Sequence, residues 1–443
     1  MSYVFNSRVS VRSLTCSSTQ KQVLCEVPAQ NDSIIRYAVP ASLIDLLELF
    51  DGTRTVEDVT SMYNRAHPDS TYSVESVSTL IQDFCIPKGI LHSQAGPPVV
   101  PEASRQKGYL YFKMKLLPHS LVYPLARLMG VLFWKPVFIL LGSLILIAHV
   151  VAYFFLIPGR HLNINDIAGR PLLDVTLITI LAALFHEFGH ASALARNRCN
   201  HLEIGLGLYL RFPVLYTDVS EAWKFAPMQR VLVDIGGLYF QNICVIVLTG
   251  LFFWHPSPTY LYCIILIDMS MSLSLNPFLR MDGYWLLADL FGIYNLREQS
   301  IAVLKYLPQL FRRNRSVRPQ FLDMKKNSFI ALCVYTVLSF TFFTYLVIIA
   351  TYQTIFYLLP AYPHLWSSFF SALRHEPSFS NIGGGLFHIA WKTAVLIGCL
   401  QFAWRSVQKT IGFLWRWISG HLSRTPVEEL SIVREVNGPA KEA

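Results

Sequence analysis

Six apolar runs restrict what this chain can become: Val131–Ile157, Leu172–Arg196, Val231–Trp254, Thr259–Leu275, Phe329–Leu358 and Leu386–Val407. A helix needs about 20 residues to cross a hydrocarbon core of about 30 Å, and most of the runs are that long. The composition agrees. Of 443 residues, 53% are hydrophobic and 15% charged, against about 25% charged in an average soluble domain. The expected fold class is a polytopic α-helical membrane protein of about six transmembrane helices, with an N-terminal soluble domain. The fourth run is short and stops at Asn276-Pro277, where proline removes a backbone donor, so a broken helix is expected there.

The formal net charge of +9 comes from 37 Lys+Arg against 28 Asp+Glu. The basic residues gather before the first run (Arg105, Lys107, Lys113, Lys115, Arg127, Lys135), between the second and third (Arg196, Arg198, Lys224, Arg230), and between the fourth and fifth (Arg297 to Lys326). The connections 158–171, 255–258 and 359–385 are poor in Lys and Arg. The positive-inside rule then puts both termini in the cytoplasm, with the lipid bilayer as the first partner and no nucleic acid. Trp134, Trp254, Trp366 and Trp404 stand near span ends as interfacial anchors. The first twenty residues lack an apolar h-region, so no cleavable secretory signal is expected. Eight scattered cysteines, none in a C-x-x-C pair, suggest neither a disulfide framework nor a thiolate metal site.

Residues 1–105 form the soluble domain, 106–420 the membrane domain and 421–443 a polar tail. In the first, Ser33–Val39 has strand character, and Leu43, Leu46, Leu47 and Phe50 recur at helical spacing. Thr55 and Ser73 are suitable N-caps for a second and third helix, and Lys88–His92 reads as a closing strand. Strand, three short helices and strand describe a winged-helix (α+β) module, without the row of basic residues a DNA-reading helix would carry.

The chemistry sits in LAALFHEFGHASALA of the second span. His186 and His190 are four apart, so on a helix their imidazoles share a face and can share a metal ion, with Glu187 beside them as a proton acceptor. Three ionisable groups in an apolar span are costly unless they line a site or bind an ion. Such a site needs a third protein ligand and leaves one position for water. Asp282, after the break at Pro277 and before Gly283, is the candidate; Asp234, Asp268 and Asp289 are rivals without a helix break beside them. His186 lies about 21 Å below the outer end of its span, a depth Asp282 can match. Between the second and third spans, Ile204, Leu206, Leu208, Leu210, Phe212 and Val214 alternate with other residues, which predicts a strand or re-entrant hairpin beside the site. Its edge could accept an extended peptide.

HEFGH in one span and NPFLRMDGYW in a later one resemble the site-2 protease family of intramembrane zinc metalloproteases, in its peptide zinc metalloprotease branch. The resemblance covers about residues 120–410. It implies Zn2+ held by His186, His190 and Asp282, with Glu187 as general base and Asn276 holding substrate. The family's G-x-x-x-N-like segment is matched imperfectly by DIGGLYFQNIC, where Gln241 or Asn242 would be a substrate amide donor. The segment VPASLIDLLELFDGTRTVEDVTSMY resembles the PqqD-like module, the recognition element for ribosomally made, modified peptides. That resemblance implies a leader peptide added as a strand beside Ile35, Arg36 and Tyr37. The two together imply a multi-pass enzyme of a bacterial inner membrane that cleaves a captured precursor or leader peptide, working with maturation or export proteins. The alternatives are regulated proteolysis of a membrane-anchored regulator and a non-catalytic export or immunity protein.

Overall fold

The computed structural model describes residues 2–375 apart from 15–20, 30–33, 69–70, 95–98, 102–109, 161, 163–169, 200–201, 210–211 and 311–319. Beyond 375 it describes a set of positions between 385 and 412, together with Arg434–Glu435. Residues 1–332 with 430–443 form one compact unit and residues 333–429 another.

The N-terminal module begins with β1 (Tyr3–Phe5), β2 (Ser10–Leu14), β3 (Gln22–Pro28) and β4 (Ile34–Pro40). It continues with α1 (Ala41–Leu47), α2 (Val56–Ala66), α3 (Val74–Leu80), a π turn at Ile81–Cys85, and β5 (Leu91–Ser93). β2, β3 and β4 make an antiparallel sheet in that order, and β1 pairs with β5. The three helices and the strand at β4 match expectation, and so do the caps. The Thr55 hydroxyl accepts from Asp58 N–H in a capping box, and the Ser73 hydroxyl accepts from Ser76 N–H. The closing strand is displaced to Leu91–Ser93, because Gly89 turns the chain at φ +70° just before it.

β1 to β3 were not expected. QVLCEVP shows no alternation because both of its faces are covered. Val23, Cys25 and Val27 enter the module's core, while Leu24 packs with Ala38 and Trp223 on the opposite face. Burial pushes the Cys25 thiol up to about 12 and raises Cys85 as well, so neither is a nucleophile at neutral pH.

The membrane part opens with β6 (Leu110–Leu117), α4 (His119–Met129) and α5 (Lys135–Val151), the last running into a π turn at Ala152–Leu156. α6 (Arg170–Arg196), β7 (Ile204–Tyr209), β8 (Phe212–Thr217), α7 (Pro227–Trp254), α8 (Pro258–Ser274), α9 (Asp282–Phe291) and α10 (Leu296–Leu310) follow. α11 (Lys326–Gln353) passes through a π turn into α12 (Leu359–His375), and β9 is Arg434–Glu435.

Among the described residues four helices are long and apolar enough to cross a membrane: Lys135–Leu156, Pro171–Arg196, Pro227–Trp254 and Lys326–Ser371. α8 has 17 residues and breaks where expected, ending at Ser274 with α9 starting at Asp282. The sixth expected run, Leu386–Val407, lies partly outside the described residues, and its described positions are helical. The tail 421–443 lies outside them too, save for β9.

The fifth run differs from expectation. Its helix does not end at Leu358 but continues to His375, so 359–375 is helix and not a loop. The π turn at Thr354–Leu358 comes just before Pro360 and Pro363, whose missing donors would otherwise interrupt a regular ladder.

The period-two segment forms a hairpin, β7 with β8, to which β6 adds a third strand in the order β6-β7-β8. Lys115 of β6 pairs with Glu203 at 2.7 Å, and Lys113 lies 5.8 Å from the centre of the Tyr216 ring. α6 and α7 touch backbone to backbone. A Cβ on Gly189 would stand 2.1 Å from the Gly236 carbonyl oxygen, so small residues set this crossing.

Candidate metal centre

The crossing of α6 on α7 places the two histidines against a fixed set of acceptors. His190 Nδ1 lies 2.7 Å from the Val233 carbonyl oxygen, so it must carry the proton and donate. His186 is oriented through a chain of bonds. Ser270 Oγ donates to the Ile267 carbonyl and therefore accepts from Gln241 Nε2, at 2.8 Å in each case. That turns Gln241 Oε1 toward His186 Nδ1, 3.0 Å away, and His186 donates to it. Both imidazoles are thus held as Nδ1–H tautomers with their Nε2 lone pairs exposed.

Those lone pairs converge. The two Nε2 atoms are 3.1 Å apart, and Asp282 brings Oδ2 to 3.0 Å from His186 Nε2 and Oδ1 to 3.5 Å from His190 Nε2. Ser274 donates to Asp282 Oδ2 at 2.8 Å, which fixes that carboxylate's orientation. Three buried acceptors facing one another at this range repel unless positive charge lies between them. Ligand atoms about 2.0–2.1 Å from a tetrahedral ion stand about 3.3 Å from each other, close to the three separations seen here. Among the described residues this is the one group of His, Cys, Asp or Glu side chains arranged to hold a metal ion.

The surroundings leave room for an ion. A Cβ on Gly237 would lie 2.5 Å from both Nε2 atoms, so a side chain there would fill the position an ion needs. Gly283 lets α9 approach the end of α8 closely, since a Cβ there would stand 2.0 Å from the Leu275 carbonyl oxygen. The donor set of two imidazoles and a carboxylate fits a divalent ion such as zinc. Glu187 follows His186 on α6, is buried, and accepts a hydrogen bond from Thr217 of β8 through Oε2 at 2.8 Å.

The rival carboxylates are engaged elsewhere. Asp268 meets His149 Nε2 at 3.2 Å and the Tyr153 hydroxyl at 2.6 Å, and Asp289 pairs with Arg230 at 2.8 Å. Asp234 is fully buried on α7, outside the group of three.

The residues expected to touch substrate are placed less simply. Gln241 uses both ends of its amide to orient His186, so it supports a ligand. Asn242 donates to the Leu238 carbonyl and to Met271 Sδ. Asn276 accepts from Phe278 N–H at 2.9 Å, which shapes the break between α8 and α9. In β4, Ile35 packs against the module's core, Arg36 pairs with Glu26 at 3.0 Å, and Tyr37 is buried edge-on against Phe84. Their contribution to a strand-accepting edge is therefore through the backbone. Sequence reading finds Gly237 only as the glycine of the G-x-x-x-N-like segment, and it does not find Thr217, Ser270 or Ser274.

Comparison of the chain with protein-family models, with curated proteins and with solved structures returns no match. The functional reading therefore stands on the geometry and on the residue chemistry.

Proposed function

We propose that the chain is an intramembrane zinc metallopeptidase that hydrolyses a bond in an extended peptide. His186, His190 and Asp282 hold the ion and Glu187 is the general base. The observation that carries this reading is the convergence of two Nε2 lone pairs and a carboxylate at about the edge length of a tetrahedral site, beside a buried glutamate. A bound zinc ion supplies Lewis acidity to the scissile carbonyl and to water.

The protein's own part is orientation and proton transfer. Gln241 and the Val233 carbonyl keep both ligand imidazoles in the required tautomer. Glu187 takes a proton from the attacking water and delivers it to the leaving amine. β8 is the terminal strand of its sheet, and Pro213 within it is of the kind edge strands tolerate. A peptide lying along β8 is extended, and an extended peptide exposes the amide that a helix would shield.

The substrate class in this reading is a ribosomally made precursor or leader peptide captured by the N-terminal module on the cytoplasmic side. What supports the capture step is that β4 accepts a strand on the edge away from β3. The chain's own Arg434–Glu435 pairs there with Ala38 and Tyr37.

The test uses Glu187→Gln in native membranes with a photo-crosslinker at the exposed Ile34. The variant is expected to retain zinc, accumulate a cross-linked short peptide and release no product, whereas the unaltered chain cleaves that peptide. Continued cleavage by Glu187→Gln would refute the catalytic assignment. Capture of a single-span protein instead would move the substrate from precursor peptide to membrane-anchored regulator.

A further inference from the structure

The β7–β8 hairpin touches the candidate base through one side chain. Thr217, the last residue of β8, is 1% exposed, with Oγ1 2.8 Å from Glu187 Oε2 and 3.0 Å from the Glu187 main-chain oxygen. A hydroxyl has one proton to give and both neighbours are acceptors, so the proton is shared, with the shorter leg to the carboxylate. Both acceptors belong to the same residue. The contact therefore folds the Glu187 side chain back onto its own helical turn and holds it there. Among the described residues it is the carboxylate's hydrogen bond, and it leaves Oε1 without one.

A buried carboxylate with one oxygen held and the other free has the geometry of a general base, which must face water with one atom in a fixed direction. Thr217 is also paired through its backbone with Ile204 of β7, at the end of the hairpin opposite the turn. The hydroxyl thus links the terminal strand of the sheet to the base.

We propose that Thr217 is a positioning residue for Glu187. Its hydroxyl fixes Oε2 so that Oε1 faces the attacking water, and its place at the end of β8 sets the register in which a peptide along β8 meets that oxygen. No atom leaves Thr217 in this role. The water proton passes to Oε1 while the threonine O–H stays bonded to Oε2. The proposal rests on the metallopeptidase reading, and the experiment separates the two.

The probes are benzohydroxamic acid, whose binding at a metal requires a carboxylate to take its proton, and azide, which ligates a metal with no proton to give. The protein is the purified, zinc-loaded full chain. Thr217→Val keeps the side chain's shape without the hydroxyl, Thr217→Ala removes both, and Thr217→Ser keeps the hydroxyl. The valine and alanine variants are expected to bind benzohydroxamate about ten- to a hundredfold more weakly, with zinc content and azide affinity unchanged, and serine is expected to restore binding. On a cleaved peptide, the same variants lower kcat and leave KM in place.

Glu187→Gln is the reference. If it binds benzohydroxamate as tightly as the unaltered chain, the metallopeptidase reading fails and this proposal with it. If Glu187→Gln weakens binding while a zinc-retaining Thr217→Val or Thr217→Ala does not, the positioning role alone is overturned. Loss of zinc in both hydroxyl-free variants would make Thr217 a structural residue and overturn it as well.

Discussion

At Gly237 the site depends on an atom that is missing. The Nε2 atoms of His186 and His190 both lie 2.5 Å from where a Cβ would stand, and neither can retreat, because His186 is held through Gln241 and His190 through the Val233 carbonyl. Gly237→Ala is therefore expected to weaken zinc affinity about ten- to a hundredfold, the size of effect seen when a ligand's supporting contacts are disturbed. Competition with a chelating dye measures it, and unchanged helicity would show that the fold survives. An alanine variant that bound zinc like the unaltered chain would mean the ion is held elsewhere.

This residue also shows where sequence reading stops. His186, Glu187, His190 and Asp282 were legible, because helical spacing puts the first three on one turn and the Pro277 break marks the fourth. Gly237 is visible in the G-x-x-x-N-like segment but not as a wall of the site; Thr217 and Ser270 act through contacts between segments about thirty residues apart, which no local pattern records, and Ser274 reaches Asp282 across the break between α8 and α9. Gln241 was read as a substrate donor, but the fold places Ser270 behind it and His186 in front, and an amide held at both ends is a support for a ligand.

Among the elements, α7 and α9 are joined by a buried ion pair. Arg230 Nε lies 2.8 Å from Asp289 Oδ1, and the guanidinium stacks 5.3 Å from the Trp223 ring and 5.7 Å from the Tyr294 ring. Asp289 is seven residues beyond the proposed ligand Asp282 on the same helix, so the pair anchors the helix that delivers that carboxylate. Removing one partner of a buried pair leaves an uncompensated charge and costs about 3–5 kcal/mol, whereas replacing both with apolar residues costs less. Asp289→Ala is expected to lower the thermal midpoint in detergent and to reduce zinc occupancy. The double variant Arg230→Leu/Asp289→Leu is expected to recover much of the midpoint. Equal midpoints for Asp289→Ala and the unaltered chain would rule the anchor out.

β3, which buries two faces, is hidden from sequence reading. β3 lost its alternation because Leu24 meets Trp223 while Val23 and Cys25 face the module's core. The apolar periodicity of α1, α2 and the membrane helices stayed visible because each has one face or one length to satisfy. β6, LYFKMKLL, alternates lysine with apolar residues, but it lies in the basic stretch that was read only for its charge.

For the whole molecule, the pairing of β9 with β4 brings the two ends of the chain together, with Ala38 opposite Arg434 and Tyr37 opposite Glu435. In the proposed membrane protein, this pairing requires the chain between residues 40 and 434 to cross the bilayer an even number of times. Among the described residues four helices are long and apolar enough to cross, and α8, of 17 residues and about 26 Å, is shorter. This parity is independent of the positive-inside rule and leads to the same expectation, both termini on one side.

It can be tested without knowing the substrate. In an antiparallel pair the facing Cα atoms are about 4.5–5.5 Å apart, within the range a disulfide spans. In the chain carrying Ala38→Cys and Arg434→Cys, mild oxidation of intact membranes is expected to give an intramolecular disulfide, visible as a mobility shift that reductant reverses. Pairing 434 with position 24, on the neighbouring strand β3, should give none. A chain whose ends lay on opposite faces of the membrane could form neither. Absence of the 38–434 link under conditions that cross-link a control pair would therefore remove the strand pairing, and with it this ground for an even count. If the link forms, the backbone edge proposed to capture a peptide is occupied in the resting protein, and a captured peptide must displace residues 434–435 to bind.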